Sequence, residues 1–130
     1  MANAASSINV LVVDDQDCLV ELLADIVNGL GFGSEMAHDG LEAIEKFDEG
    51  NFQMVITDIK MPRMDGIELM KRIKENRPDV PVIAITGYGS ESTEEELLYD
   101  GVDGFLEKPF RVAKIEGIVC DVLRKYELLE

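Results

Sequence analysis

The 130-residue chain reads as an α/β protein, a doubly wound five-stranded parallel sheet with five helices. Three observations predict this. Short apolar runs recur along the chain, and each is followed by a stretch with apolar residues at helical spacing. The runs are apolar throughout and do not alternate, which marks strands covered on both faces by helical layers. Polar residues gather where the runs end, and in such sheets the functional crevice lies beyond the carboxyl ends of the strands.

The elements follow in order. "MANAASS" (1–7) is expected to be a disordered lead-in, and the domain is expected to span 8–127. "INVLVV" (8–13) is the first strand, and Leu19, Leu22, Leu23, Ile26, Val27 and Leu30 then recur at helical spacing until Gly31. The cycle repeats with "GSEMA" (33–37) and a helix over 40–49, then "MVIT" (54–57) and a helix over about 66–76. "VIAIT" (82–86) precedes a helix over about 91–99. "GFLE" (104–107) leads into a last helix from about 111, with Val112, Ile115, Val119, Val122 and Tyr126 on one face.

Composition narrows the function classes. With 46% hydrophobic and 30% charged residues, the chain is an ordinary globule able to bury a core. Its longest apolar stretch, "VPVIAI", is far shorter than the ~20 residues a membrane helix needs. The start lacks the basic and apolar regions of a signal peptide, so a cytoplasmic location is expected. A net charge of −15 repels phosphate backbones and anionic lipid, which argues for a protein partner and against direct nucleic-acid or membrane binding. Cys18 and Cys120 have no metal-ligand spacing and read as small core-facing residues.

The chemistry collects at strand ends. Strand one ends in Asp14-Asp15, strand three in Asp58, strand four in Thr86, and strand five runs into Lys108-Pro109. Singly, each has a plain reading: Asp15 as a helix cap, Asp58 and Asp65 as turn residues, Thr86 as a strand residue, Lys108 as a solvated cation. Together they are costly. Adjacent parallel strands lie only about 4.8 Å apart, so if strands one and three are neighbours, three carboxylates share one pocket and repel one another unless cations compensate. One lysine does not balance three acids, whereas a hard divalent ion such as Mg²⁺ does, and it readily takes a phosphate oxygen as a further ligand.

The acid pair Asp14-Asp15, "DIKMPRMDG" (58–66), Thr86 after "VIAI", and "KPF" (108–110) resemble the receiver domain of two-component response regulators over about residues 8 to 125. The resemblance implies a flavodoxin-like, CheY-like fold with strand order 2-1-3-4-5. It implies that Asp58 accepts a phosphoryl group from a sensor histidine kinase. Asp15 would bind Mg²⁺, or Mn²⁺ in its place, directly, Asp14 mainly through water, and Lys60 through its backbone carbonyl. Lys108, with a cis bond to Pro109, would contact the phosphoryl oxygens, and Thr86 would hydrogen-bond the attached group. Phe105 matches the switch aromatic, with a plain core role weighed equally. Downstream protein or output-domain contacts would use the face of helix four, strand five and helix five. The chain would not be an enzyme in its own right beyond its Mg²⁺-dependent self-phosphorylation and self-dephosphorylation.

Two other classes compete with this reading. A haloacid-dehalogenase-like aspartyl-phosphate phosphatase needs a second acid two residues after the acceptor, where this chain has Lys60. A flavodoxin-like cofactor binder would cradle phosphate in its first loop, which here is "DDQD". Within the receiver reading, a stand-alone switch, a fragment of a longer transcriptional regulator or hybrid kinase, and a phosphorelay intermediate stay open. His38 reads as a loop residue, and Met61 and Met64 as packing around the acceptor loop.

Overall fold

The computed structural model describes residues 8–61, 64–87 and 101–129. The strands are β1 Asn9–Val13, β2 Gly33–Ala37, β3 Met54–Asp58, β4 Val82–Thr86 and β5 Gly104–Glu107. The helices are α1 Asp17–Gly29, α2 Gly40–Glu49, α3 Gly66–Asn76 and a C-terminal helix, Val112–Lys125. Four helices are thus present among the described residues, against five expected. The expected fourth, over 91–99, lies outside the described residues. All pairings are parallel, in the order β2-β1-β3-β4-β5.

Two cores sandwich the sheet because successive strand side chains point to opposite faces. Val10, Val12, Ile56, Ile83 and Ile85 pack with Val20, Leu23 and Val27 of α1 and with Ile115, Val119 and Leu123 of the C-terminal helix. Leu11, Val13, Val55, Val82 and Ala84 pack with Ala43 and Phe47 of α2 and with Leu69, Met70 and Ile73 of α3. Every residue of β3 and β4 is buried. Each such aliphatic side chain contributes roughly 1.5–3 kcal/mol relative to exposure.

Several expectations are corrected. Cys18 is exposed and Cys120 only half-buried. Cys18 occupies the solvent side of the first turn of α1, whose buried residues are Val20, Leu23, Ala24, Ile26 and Val27. Leu22 and Val112, expected on apolar faces, are 41% and 47% exposed. A buried stripe covers only part of a helix circumference, and these two lie on its margin.

Three carboxylates, Asp39, Asp65 and Asp103, lock the ends of elements. Asp39 and Asp65 cap α2 and α3, accepting from the N–H groups of Glu42 and Glu68 at 2.8 and 2.9 Å. Far from the strand ends that carry the acids, Asp103 accepts from Lys74 Nζ at 2.7 Å, from the Val82 N–H at 2.8 Å and from the Tyr126 hydroxyl at 2.5 Å.

The C-terminal helix stops in a Schellman arrangement. Leu128 donates to the Leu123 carbonyl and Glu127 to that of Arg124, at 2.8 and 2.9 Å, with Glu127 at φ 60°. The same turn closes α1, where Gly31 holds the left-handed position at φ 95°. A glutamate there carries the Cβ penalty that glycine avoids. Glu127→Gly is therefore expected to raise stability by about 0.5–1 kcal/mol in urea denaturation. A loss of stability would mean that the glutamate side chain contributes more than the strain costs.

Candidate functional site

The pairing of β1 with β3, with Val13 opposite Thr57, sets Asp14 beside Asp58 at the carboxyl edge of the sheet. Asp14 is fully buried and Asp58 is 6% exposed. Asp15 projects to the surface, yet a carboxylate oxygen from each of Asp14, Asp15 and Asp58 lies within 4.8 Å of the others. Lys108 enters from the far end of β5, its N–H bonded to the Thr86 carbonyl at 2.7 Å. Its Nζ lies 3.2 Å from Asp14 Oδ2 and 3.2 Å from Asp58 Oδ2. The Lys108–Pro109 peptide is cis, as expected from the resemblance.

Asp14 is held on both oxygens, since Oδ1 accepts from the Gln16 N–H at 2.9 Å while Oδ2 takes Lys108. That backbone donor has no sequence signature, and the sequence reading missed it. Asp58 Oδ2 takes the Lys108 ammonium at 3.2 Å, and one of its carboxylate oxygens lies within 4.8 Å of oxygens of Asp14 and Asp15. Thr86 is buried at the end of β4, the strand paired with β3. Lys60 is exposed just past Asp58. Phe105 is half-buried, opposite Ala84, and packs against the core beneath α2 and α3. The structure thus brings Asp14, Asp15, Asp58 and Lys108 into one pocket, with Thr86 at the next strand end.

The electrostatics are unbalanced. Burial raises the pKa of Asp14, with the Gln16 N–H opposing and the charge of Asp58 reinforcing the rise. Burial works against the Lys108 ammonium, but the Asp58 and Asp14 charges hold its pKa above the ordinary value. Three carboxylates face one ammonium, all hard oxygen donors, which is the donor set that a small divalent cation takes. The residues present fit such an ion.

A pH effect follows. A carboxyl whose pKa is raised in the folded state binds more protons folded than unfolded, so stability falls as pH rises from the ordinary 3.8 through the raised value. Metal-free protein should therefore lose part of its stability above about pH 4 through Asp14. Asp14→Asn is expected to melt a few degrees above wild type at pH 7 in chelator, and to gain less than wild type from millimolar Mg²⁺. Equal melting of the two proteins in chelator would show that Lys108 and Gln16 already offset the burial of the charge.

Comparison with known proteins bears on the family and the fold. A family model described as the response regulator receiver domain matches residues 10–119. The transcriptional regulatory protein ZraR of Klebsiella oxytoca is 35% identical over 127 residues, covering 98% of this chain and 29% of that protein. The transcriptional regulatory protein TrcR of Mycobacterium tuberculosis is 34% identical over 125 residues, covering 96% of this chain and 49% of its own. The chain thus spans less than half the length of either regulator. Among solved structures, the beryllofluoride-activated NtrC4 receiver domain dimer superposes with a TM-score of 0.83 at 36% identity, covering 91% of this chain and 98% of that one. The chemotaxis response regulator CheY4 of Vibrio cholerae gives 0.81 at 29% identity, with 89% and 98% covered. With its parallel sheet, its acids at adjacent strand ends and a family match over most of its length, the chain belongs to the receiver domains of two-component response regulators.

Proposed function

We propose that this receiver is a phosphorylation-dependent switch in which Asp58 takes a phosphoryl group from a sensor histidine kinase. The observation that carries the reading is the buried Asp58 carboxylate at the end of β3, its Oδ2 held by Lys108 at 3.2 Å and its neighbours two further acids. In the transfer, an Asp58 oxygen attacks phosphorus, the P–N bond to the donor imidazole breaks, and the imidazole leaves with a proton. Lys108 stabilises charge on the phosphoryl oxygens and the Thr86 hydroxyl donates to one of them. Asp14, Asp15, Asp58 and the Lys60 carbonyl would hold Mg²⁺, or Mn²⁺ in its place. Once bound, the ion neutralises the charge that builds up as two anions meet.

The chain then acts as a switch, not as an enzyme on other molecules. Its only chemistry is its own phosphorylation and dephosphorylation. Rearrangement at Thr86 and Phe105 shifts the population toward a state with a different partner surface on β5 and the C-terminal helix. The similar proteins support a protein partner or output domain: ZraR and TrcR are transcriptional regulatory proteins, and the NtrC4 receiver domain was solved as a beryllofluoride-activated dimer. Among the described residues no helix is long and apolar enough to cross a membrane. We place the domain in the cytoplasm, without direct contact to nucleic acid or bilayer. The chain functions either alone, as a relay, or as the receiver part of a longer regulator or hybrid kinase.

The test is intact mass after incubation with acetyl phosphate and Mg²⁺. Wild type is expected to gain one phosphoryl group and Asp58→Asn none. An equal gain in the variant would put the acceptor elsewhere.

A further inference from the structure

In the function proposed above, the loop that follows Asp58 brings the Lys60 carbonyl to the acids. Its neck is closed by backbone alone: the Ile59 N–H donates to Ile85 at 3.0 Å and the Gly66 N–H donates to the Ile59 carbonyl at 2.8 Å. A second restraint comes from another element. Gly40, the first residue of α2, is buried and lies so close to Met64 that a Cβ there would sit 2.7 Å from Met64 Cβ and 2.8 Å from its carbonyl oxygen. Met64 is itself 3% exposed, so its side chain cannot swing out into solvent without giving up buried contacts. Asp39 caps α2 immediately before Gly40, accepting from Glu42 at 2.8 Å, which stops the helix start from giving way instead.

We propose that Gly40 is a positioning residue for the cation site: by admitting the Met64 backbone at this distance, α2 sets how near the Lys60 carbonyl comes to Asp14, Asp15 and Asp58. This rests on the reading of that pocket as a divalent-cation site. Any side chain at position 40 pushes Met64, and with it the loop, away from the sheet edge, while the acids stay in place on β1 and β3. Shape therefore sets affinity here, because the carboxylates alone are an incomplete cage.

The test is direct Mn²⁺ binding to the intact chain by electron paramagnetic resonance, beside phosphorylation by acetyl phosphate at varied Mg²⁺. Gly40→Ala is expected to weaken Mn²⁺ about tenfold and to raise the Mg²⁺ needed for half-maximal phosphorylation by a similar factor, with the rate at saturating metal changed much less. Leu41→Ala, one residue on and exposed, should match wild type. Should Gly40→Ala fold poorly, Met64→Gly replaces it, since it deletes the Cβ that faces Gly40 without adding a clash; it is expected to weaken Mn²⁺ severalfold while the protein stays folded. Wild-type Mn²⁺ affinity in the folded Gly40→Ala protein, or in Met64→Gly if that is the one measured, would overturn the positioning role and leave the site itself standing. If wild type binds no Mn²⁺, or Asp14→Asn binds it as well as wild type, the reading of the pocket fails, and the proposal with it.

Discussion

Gly66→Ala is expected to cost about 3 kcal/mol, a drop of roughly 10 °C in melting temperature, and to weaken the cation pocket at the same time. A Cβ at Gly66 would lie 2.3 Å from the Asp58 carbonyl oxygen and 3.0 Å from both its carbonyl carbon and Ile59 Cα. Nothing flexible stands on the other side. The obstacle is backbone at the end of a fully buried strand, held by pairing to β1 and β4. Either β3 shifts, moving the acceptor carboxylate, or α3 lifts off and gives up the burial of Leu69, Met70 and Ile73. The better helix propensity of alanine returns at most about 1 kcal/mol. Urea denaturation with and without Mg²⁺ measures both effects, and a loss under 1 kcal/mol would show that the end of β3 yields cheaply.

Asp103→Ala is expected to be the second large loss, about 2–4 kcal/mol, although Asp103 is far from the acids in the chain fold. Its carboxylate is 15% exposed and serves Lys74, Tyr126 and the Val82 N–H together. Deleting it strands an ammonium that is only 21% exposed and a strand N–H at the start of β4. The effect has a pH signature. Burial works against the Lys74 ammonium, but the bonds to Asp103 and Tyr126 hold its pKa above 10.5. Burial and Asp103 raise that of Tyr126 above 10.0. A lysine raised in the folded state stabilises fully below 10.5 and loses that contribution as pH rises through the folded value; a raised tyrosine favours the protonated folded state and loses stability above 10.0. Wild type should thus weaken in alkali from about pH 10, and Asp103→Ala should weaken less over that range. A loss below 1 kcal/mol at neutral pH would class the cluster with solvated surface pairs.

Much of this architecture was legible in the sequence because it is written in local period. β2, β4, β5, α2 and α3 fall where the apolar spacing put them, and β1, β3 and α1 differ by one or two residues at their ends. The pocket was legible for a related reason: strand-end position in a parallel sheet dictates which side chains meet, so Asp14, Asp58 and Lys108 converge as their order required. Contacts set by tertiary packing left no such trace. Asp103 meets Lys74 and Tyr126 across 29 and 23 residues, and nothing near any of them announces it. The Gly40–Met64 and Gly66–Asp58 approaches were equally silent, since a glycine reads as a helix start whether or not a backbone presses against it. Cys18 misled because thiols are buried more often than not, a tendency that says nothing about which side of α1 a given residue takes.

The strand order also bears on colloidal behaviour. β1, β3 and β4 form the middle of the sheet, and β3 and β4 are fully buried and, apart from their polar carboxyl ends, apolar and rich in β-branched residues, as cross-β segments are. The two strands that present open edges are of another kind. β2 carries Gly33, Ser34 and an exposed Glu35, and β5 is four residues long and ends in an exposed Glu107. A second molecule adding a strand at either side would bring its own acids against these, within a chain already at −15. Aggregation should therefore start from partly unfolded chains in which β2 or β5 has come away and bared β1 or β4, and added salt, by screening the charge, should promote it.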